Sequence, residues 1–177
     1  MLVTISGLPG SGTTTVSRLV AEALGLERVP GGEVFRQRAA EAGMTLAEFG
    51  VHAHDRPEID RQLDDRLAAR ATAGDCVIES RLAGWLARRA GLTAVTVWVD
   101  CADQIRAGRV AGRDGISVDE ALADNAARSE LERRRYRRVY DIDLDDRSVY
   151  DLVLDSSREA PAALAAVIVE QARTTFA

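Results

Sequence analysis

The sequence predicts an α/β protein built on a parallel sheet, and three observations support this fold class. A β-prone run at residues 1–6 leads into a glycine-rich turn and then a helical pattern, which is the opening of an α/β unit. Further apolar runs at 76–78, 93–99 and 152–154 lack strict alternation, as parallel strands covered on both faces require. Helical stretches fill the gaps between these runs.

The helices are predicted from apolar spacing and from signals at their ends. The first begins at Thr13, presents its apolar residues on one face and meets a C-cap candidate at Gly25. Sequences typical of capping boxes start two later helices, pairing Thr45 with Glu48 and Ser117 with Glu120. Besides the first helix and a short one after residue 45, the predicted helices cover about 33–43, 57–73, 82–90, 103–113, 118–138 and 160–174. In the helix at 57–73, charged residues at helical spacing indicate a solvent-facing side formed by Glu58, Arg61 and Asp65.

Length and composition limit the class of protein. The chain has 177 residues, 46% hydrophobic and 29% charged, so we expect one domain over residues 1–177 with a real core. No apolar run approaches the ~20 residues of a membrane-spanning helix and no secretory signal is visible, which predicts a cytoplasmic protein. The net charge of −5 argues against a nonspecific nucleic-acid binder. Cys76 and Cys101 have neither zinc-site nor disulfide spacing and are expected to be buried thiols.

A phosphate-binding loop is predicted directly after the first strand. Its segment has the G-x-x-x-x-G-x-[ST] frame and comprises Gly7, Leu8, Pro9, Gly10, Ser11, Gly12, Thr13, Thr14 and Thr15. Backbone amides of such a loop form a concave anion site at the start of the next helix, and the Thr14 hydroxyl stands where Mg²⁺ is ligated. Thr13 replaces the usual lysine. A dinucleotide fingerprint fits less well, because Thr15 stands where its third glycine belongs.

Arginines recur at the junctions that follow the predicted strands. The chain contains no lysine, so any side-chain cation on a phosphate must be an arginine. Phosphoryl transfer requires positioning and charge neutralisation above all. A single arginine more often belongs to a solvated helix face, but the whole set is harder to explain in that way. Its members are Arg36, Arg81, Arg106, Arg109, Arg113, Arg128 and the run 133–138, where acidic neighbours disfavour RNA contact.

Long motifs along the chain resemble the archaeal-type (type 2) cytidylate kinases, of the nucleoside monophosphate kinase group of P-loop kinases. They include ISGLPGSGTTT, GGEVFRQRAAEAGMTLAEF, PEIDRQLDDR, VIESRLAGWLA, RDGISVDEA and RYRRVYDIDLDDRSVYDLVLDSS. The resemblance implies a three-layer fold with a five-stranded parallel sheet in the order 2-3-1-4-5. It also implies a nucleoside monophosphate-binding region at about 31–73 and a lid at about 108–140.

The same resemblance implies an activity and roles for individual residues. ATP would donate its γ-phosphoryl group to CMP, and to dCMP, in a monomer with no nucleic-acid or membrane partner. Gly7 to Thr15 would hold ATP, and Mg²⁺ would be bound by Thr14 and waters. Arg36 and Arg81 would bind the phosphate of the acceptor. The remaining arginines would approach from the lid, namely Arg106, Arg109, Arg113, Arg128 and one of the three at 133–135.

Several alternatives stay open at this point. Glu79 and Asp100, each at a strand end, could hold metal-bound waters, or could cap a helix or pair with an arginine. The acceptor could instead be AMP, UMP or a small non-nucleotide molecule, and the protein could be a nucleotide-binding regulatory module without turnover. His52 and His54 are not expected to bind a metal, because they point apart on a helix. The acidic run at 141–146 does not match a calcium loop.

Overall fold

A computed structural model describes the whole chain, residues 1–177, and contains a five-stranded, entirely parallel sheet in the order β2-β3-β1-β4-β5. The α/β class and the strand order expected from the family resemblance are therefore confirmed. The strands are β1 Leu2–Gly7, β2 Glu27–Pro30, β3 Cys76–Glu79, β4 Val95–Asp100 and β5 Leu152–Asp155. The helices are α1 Thr13–Leu24, α2 Gly31–Glu41, α3 Leu46–His54, α4 Pro57–Ala73, α5 Ala83–Arg89, α6 Asp103–Asp114, α7 Val118–Tyr140 and α8 Pro161–Thr175.

The sheet is covered by helices on both faces, which explains why its strands lack alternation. On one face, α1 and α8 pack against β1, β3 and β4 through a core that includes Val3, Val20 and Ile168. On the other face, α4 and α5 pack on Leu2 and Ile78. Every residue of the central strands β1 and β3 is buried, and burial of apolar area contributes roughly 25 cal/mol per Å² to stability.

Four of the five strands follow the predictions from the residues, and β2 does not. Its sequence, Glu27-Arg28-Val29-Pro30, has a single branched apolar residue and ends in proline. Such a strand is tolerated at a sheet edge, where one row of backbone groups has no partner strand. Pairing with β3, in register from Glu27 opposite Cys76 to Pro30 opposite Glu79, holds it in place.

The predicted helix ends are largely confirmed. Both capping boxes form, with the Thr45 and Ser117 hydroxyls accepting from the backbone N–H of Glu48 and Glu120. Gly25 ends α1 in the left-handed conformation at φ 66°. The helix predicted from about residue 33 begins at Gly31, and α7 continues to Tyr140.

Two further expectations from composition can be compared with the structure. Both cysteines are free and buried, as predicted. None of the helices combines the length and the apolar character needed to cross a membrane.

Candidate active site

The loop between β1 and α1 forms an anion cradle at the carboxyl edge of the sheet. Gly10 and Gly12 adopt φ of 81° and 89°, which side chains other than glycine rarely tolerate. A Cβ on Gly10 would lie 2.6 Å from the backbone oxygen of Arg106, so the loop also needs glycine for close approach. No side chain caps the start of α1 and its first turn has no acid, which leaves its N–H groups and dipole for an anion.

Three hydroxyls at the start of α1 converge on one carboxylate at the end of β3. Thr13 and Thr14 each donate from Oγ1 to Glu79 Oε1 at 2.9 Å, and Ser17 donates to Oε2 at 3.4 Å. Arg28 from β2 lies 3.7 Å from the same carboxylate. Thr13, at the position of the usual lysine, is therefore hydrogen-bonded to the end of β3. Glu79 could hold metal-bound waters or pair with an arginine, and this geometry is compatible with both. It pairs with Arg28, and it also accepts a hydrogen bond from Thr14.

A buried carboxylate between two arginines forms the centre of the site. Arg81 Nε donates to Glu132 Oε2 at 2.7 Å, and Arg128 Nε donates to Oε1 at 3.0 Å. Burial alone would raise the pKa of Glu132, but the charges of Arg81 and Arg128 outweigh it and lower that pKa to about 2. Arg81 also donates to the backbone oxygen of Gly7, which connects this cluster to the anion cradle.

The other predicted arginines approach the cradle from α6 and α2. Arg109 donates to the backbone oxygen of Gly10 at 3.2 Å and to that of Ser156 at 2.7 Å. Arg113 pairs with Asp114, whose pKa is lowered by that hydrogen bond and also by the charge of Arg36. Arg36 is exposed on α2, and it lies near enough to the end of α6 for its charge to act on Asp114.

One cleft of about 290 Å³ brings these predicted residues together. It is lined by the loop residues other than Ser11, which is buried beneath them. Its walls include Arg36, Arg81, Arg109, Arg113 and Arg128. Arg106 lies outside the lining, because its buried guanidinium donates to the backbone oxygen of Pro9 at 2.9 Å. The role of each lining residue stays a prediction.

The arginine run on α7 divides into outward and inward members. Arg133 pairs with Asp145 and Arg134 with Glu130, both near the surface. Arg135 is only 2% exposed, and it donates to the backbone oxygen of Gly50 and to the Tyr136 hydroxyl. Arg135 is thus the member of the run that lines the cleft.

Two buried acids on α4 line the cleft and were missed by reasoning from the sequence. Asp60 and Asp64 are only 3% and 7% exposed. Glu58, Arg61 and Asp65, which were predicted to face solvent, are exposed. Asp60 Oδ2 lies 3.1 Å from Arg135 Nε, and Asp64 Oδ2 accepts from the Tyr140 hydroxyl at 2.5 Å. The available signal was their position one turn apart, next to Leu63 in the apolar stripe of α4.

Several of the histidines and acidic residues that were set aside in the sequence contact arginines. His52 Nε2 contacts an Arg56 nitrogen at 2.8 Å, and Asp143 and Asp145 pair with arginines of α7. In the chain as a whole, no three or more His, Cys, Asp or Glu side chains are grouped to hold a metal ion. Asp100 is exposed at the end of β4 and does not line the cleft.

Comparison with known proteins relates this site to a family. The model of the cytidylate kinase-like family matches residues 2–158. The cytidylate kinase of Pyrococcus horikoshii is 46% identical over 168 residues, covering 95% of this chain and 86% of that protein. The cytidylate kinase of Methanocaldococcus jannaschii is 42% identical over 159 residues, or 89% of each chain.

Solved structures resemble the fold at much lower sequence identity. An uncharacterized protein from Eubacterium ventriosum superposes with a TM-score of 0.72 at 14% identity, covering 98% of this chain and 99% of that one. A gluconokinase from Sinorhizobium meliloti gives 0.64 at 14% identity, covering 98% and 94%. At such identities the likeness supports the fold alone.

Proposed function

The chain belongs to the cytidylate kinase-like family, and from this premise we propose that it acts as an ATP-dependent cytidylate kinase converting CMP, and dCMP, into the diphosphate. The observation that carries the proposal is the single cleft in which six arginines line the walls around an anion cradle. The proposed reaction breaks the bond between the γ-phosphorus of ATP and its bridging oxygen and forms a bond to a phosphate oxygen of CMP, releasing ADP.

The donor polyphosphate is proposed to bind in the loop Gly7–Thr15. The free amides at the start of α1 and the glycines of the loop supply hydrogen bonds and a positive dipole end. Arg109, held against the loop by Gly10, and Arg113 at the end of α6 would approach the donor from the lid, proposed at about 108–140.

The residues around Thr14 fit a magnesium ion. The Thr14 hydroxyl donates its proton to Glu79, so the lone pairs of its oxygen are left for a cation. Mg²⁺ prefers oxygen ligands and usually keeps several waters, so a hydroxyl, substrate phosphates and a carboxylate that holds waters suffice. When bound, Mg²⁺ would neutralise charge on the donor phosphates and fix their geometry.

The acceptor is proposed to bind on the opposite side of the cleft, in the region at about 31–73. Arg36 and Arg81 would hold its phosphate, with Arg128 between acceptor and donor. A phosphate oxygen of CMP is already anionic at neutral pH, so the reaction needs no general base. The protein's contribution is therefore to align the two phosphates, neutralise their charge and exclude water.

The test is an assay of purified protein with ATP, Mg²⁺ and a panel of acceptors. CMP and dCMP should yield CDP or dCDP together with equimolar ADP, measured by anion-exchange chromatography. AMP, UMP and a non-nucleotide alcohol should react far more slowly. Preferential phosphorylation of another acceptor would contradict the substrate, and tight ATP binding without transfer to any acceptor would indicate a regulatory module.

A further inference from the structure

The two buried aspartates of α4 have unmet hydrogen-bonding capacity. Asp60 Oδ2 lies within ion-pair distance of Arg135 but lacks hydrogen-bond geometry and has no other partner. Asp64 accepts one hydrogen bond, at Oδ2, from Tyr140. Burial raises the pKa of Asp60, and it raises the pKa of Asp64 to about 7 despite the Tyr140 hydrogen bond. Buried carboxylates are rare unless they are fully paired, so these two call for a further hydrogen-bond donor.

Their place in the cleft indicates where such a donor would come from. Asp60 and Asp64 lie on α4, in the same region as Arg36 on α2, and all three line the cleft. If Arg36 holds the acceptor phosphate, as proposed above, the nucleoside of the acceptor extends along this region. Phe35 and Leu63 line the cleft beside the aspartates and supply apolar surface for the face of a base.

We propose that the carboxylates of Asp64 and Asp60 accept hydrogen bonds from the exocyclic amine of cytosine and so select CMP over UMP. In its ionised form a carboxylate only accepts hydrogen bonds, and a donor that binds to it favours this form over the protonated one. The amine of cytosine donates two, whereas uracil places a carbonyl oxygen at the same position, where it would face the carboxylate with no proton between them. A ribose hydroxyl also donates, but it brings lone pairs of its own, so a pair of acceptors suits the amine better.

The inference rests on the proposed function, and a substrate analogue tests it in the unaltered protein. The analogue is the pyrimidin-2-one ribonucleoside monophosphate, in which hydrogen replaces the exocyclic amine of CMP. With the native chain, kcat/KM for this analogue should be roughly 10- to 100-fold below that for CMP, as expected for loss of a charge-assisted hydrogen bond. Equal values would overturn the proposal while leaving the kinase activity itself established.

The variant Asp64→Asn assigns the effect to this residue. It keeps the shape and an acceptor for Tyr140, and Asp64 is chosen because removing Asp60 would leave Arg135 buried without its counter-charge. We expect kcat/KM for CMP to fall roughly 10- to 100-fold, the gap between CMP and the analogue to close, and UMP to improve relative to CMP. KM for ATP should stay within about twofold. The matched control is Asp65→Asn, an exposed neighbour on the same helix.

Three outcomes would contradict the proposal. One is a CMP-to-UMP ratio that does not change in Asp64→Asn. Another is a collapse of the CMP-to-dCMP ratio with the CMP-to-UMP ratio intact, which would assign the contact to the ribose. The third is an analogue gap that persists in the variant. A native chain that makes no CDP at all would instead refute the proposed function. Should Asp64→Asn not fold, the analogue comparison with the native chain decides alone.

Discussion

Replacing Glu132 by glutamine should remove the charge that holds two half-buried arginines, Arg81 and Arg128, in place. Glu132 is 5% exposed and accepts hydrogen bonds from Arg81 and Arg128. Its pKa falls from an ordinary 4.5 to about 2, because the two guanidinium charges outweigh the effect of burial. At about 1.4 kcal/mol per pH unit, this difference corresponds to roughly 3 kcal/mol of stability from the ionised group. In a chain of this length, that loss lowers Tm by roughly 6–12 °C.

The stability difference between the native chain and Glu132→Gln should depend on pH. A carboxylate whose pKa is lowered by folding stabilises the protein fully above its unfolded value of 4.5 and loses that contribution as the pH falls towards 2. The native chain should therefore be more stable than Glu132→Gln at pH 7, and the difference should shrink below pH 4.5. Urea unfolding between pH 3 and 7 measures it, with Glu130→Gln on the exposed side of α7 as control. A difference below about 0.5 kcal/mol at pH 7, or one that does not change with pH, would refute the reasoning.

Three further predictions concern the two sides of the cleft. Arg36→Ala should raise KM for CMP by roughly 10- to 100-fold and KM for ATP much less, with Arg18→Ala as surface control; equal effects in steady-state kinetics would contradict the assignment to the acceptor. Gly10→Ala should lower the free energy of unfolding by about 2 kcal/mol or more and raise KM for ATP, because φ is 81° and the new Cβ meets the Arg106 backbone oxygen. An unchanged free energy of unfolding and unchanged ATP binding would argue against a tightly fitted loop. Burial raises the pKa of Asp64 from 3.8 to about 7, so the folded state binds more protons than the unfolded state between these pH values, and stability falls as the pH rises through this window. In Asp64→Asn this fall, at most about 1.4 kcal/mol per pH unit, should be absent. Parallel profiles of unfolding free energy for the two proteins from pH 5 to 7.5 would contradict the prediction.

Local sequence patterns predicted the parts of the fold that depend on local chemistry. The anion loop, the two capping boxes and the four apolar strands each depend on a few neighbouring residues. β2 could not be predicted in this way, because Glu27–Pro30 is a strand only through pairing with β3. The family resemblance, which implied five strands, supplied what the residues of that segment did not.

The site was predictable in its chemistry and less so in its geometry. The absence of lysine made arginine the only side-chain cation available to phosphates, and five named arginines do line the cleft. Which member of the run on α7 points inwards depends on how that helix packs against α3 and α4, and only Arg135 does. The burial of Asp60 and Asp64 depends on the same packing, so helical spacing alone revealed only the opposite, solvated face of α4.

Helix α7 runs for 23 residues without glycine or proline, a rod of about 34 Å. Its first turns pack on α6 through Ala121, its middle carries Glu132 against Arg81, and its last residue bonds Asp64. Because α7 is unbroken, a tilt of its end at Val118 would also displace its other end at Tyr140. If α6 moves when one substrate binds, α7 would carry the displacement towards Tyr140 and Asp64, and any coupling of the two affinities that results would be the same factor in both directions.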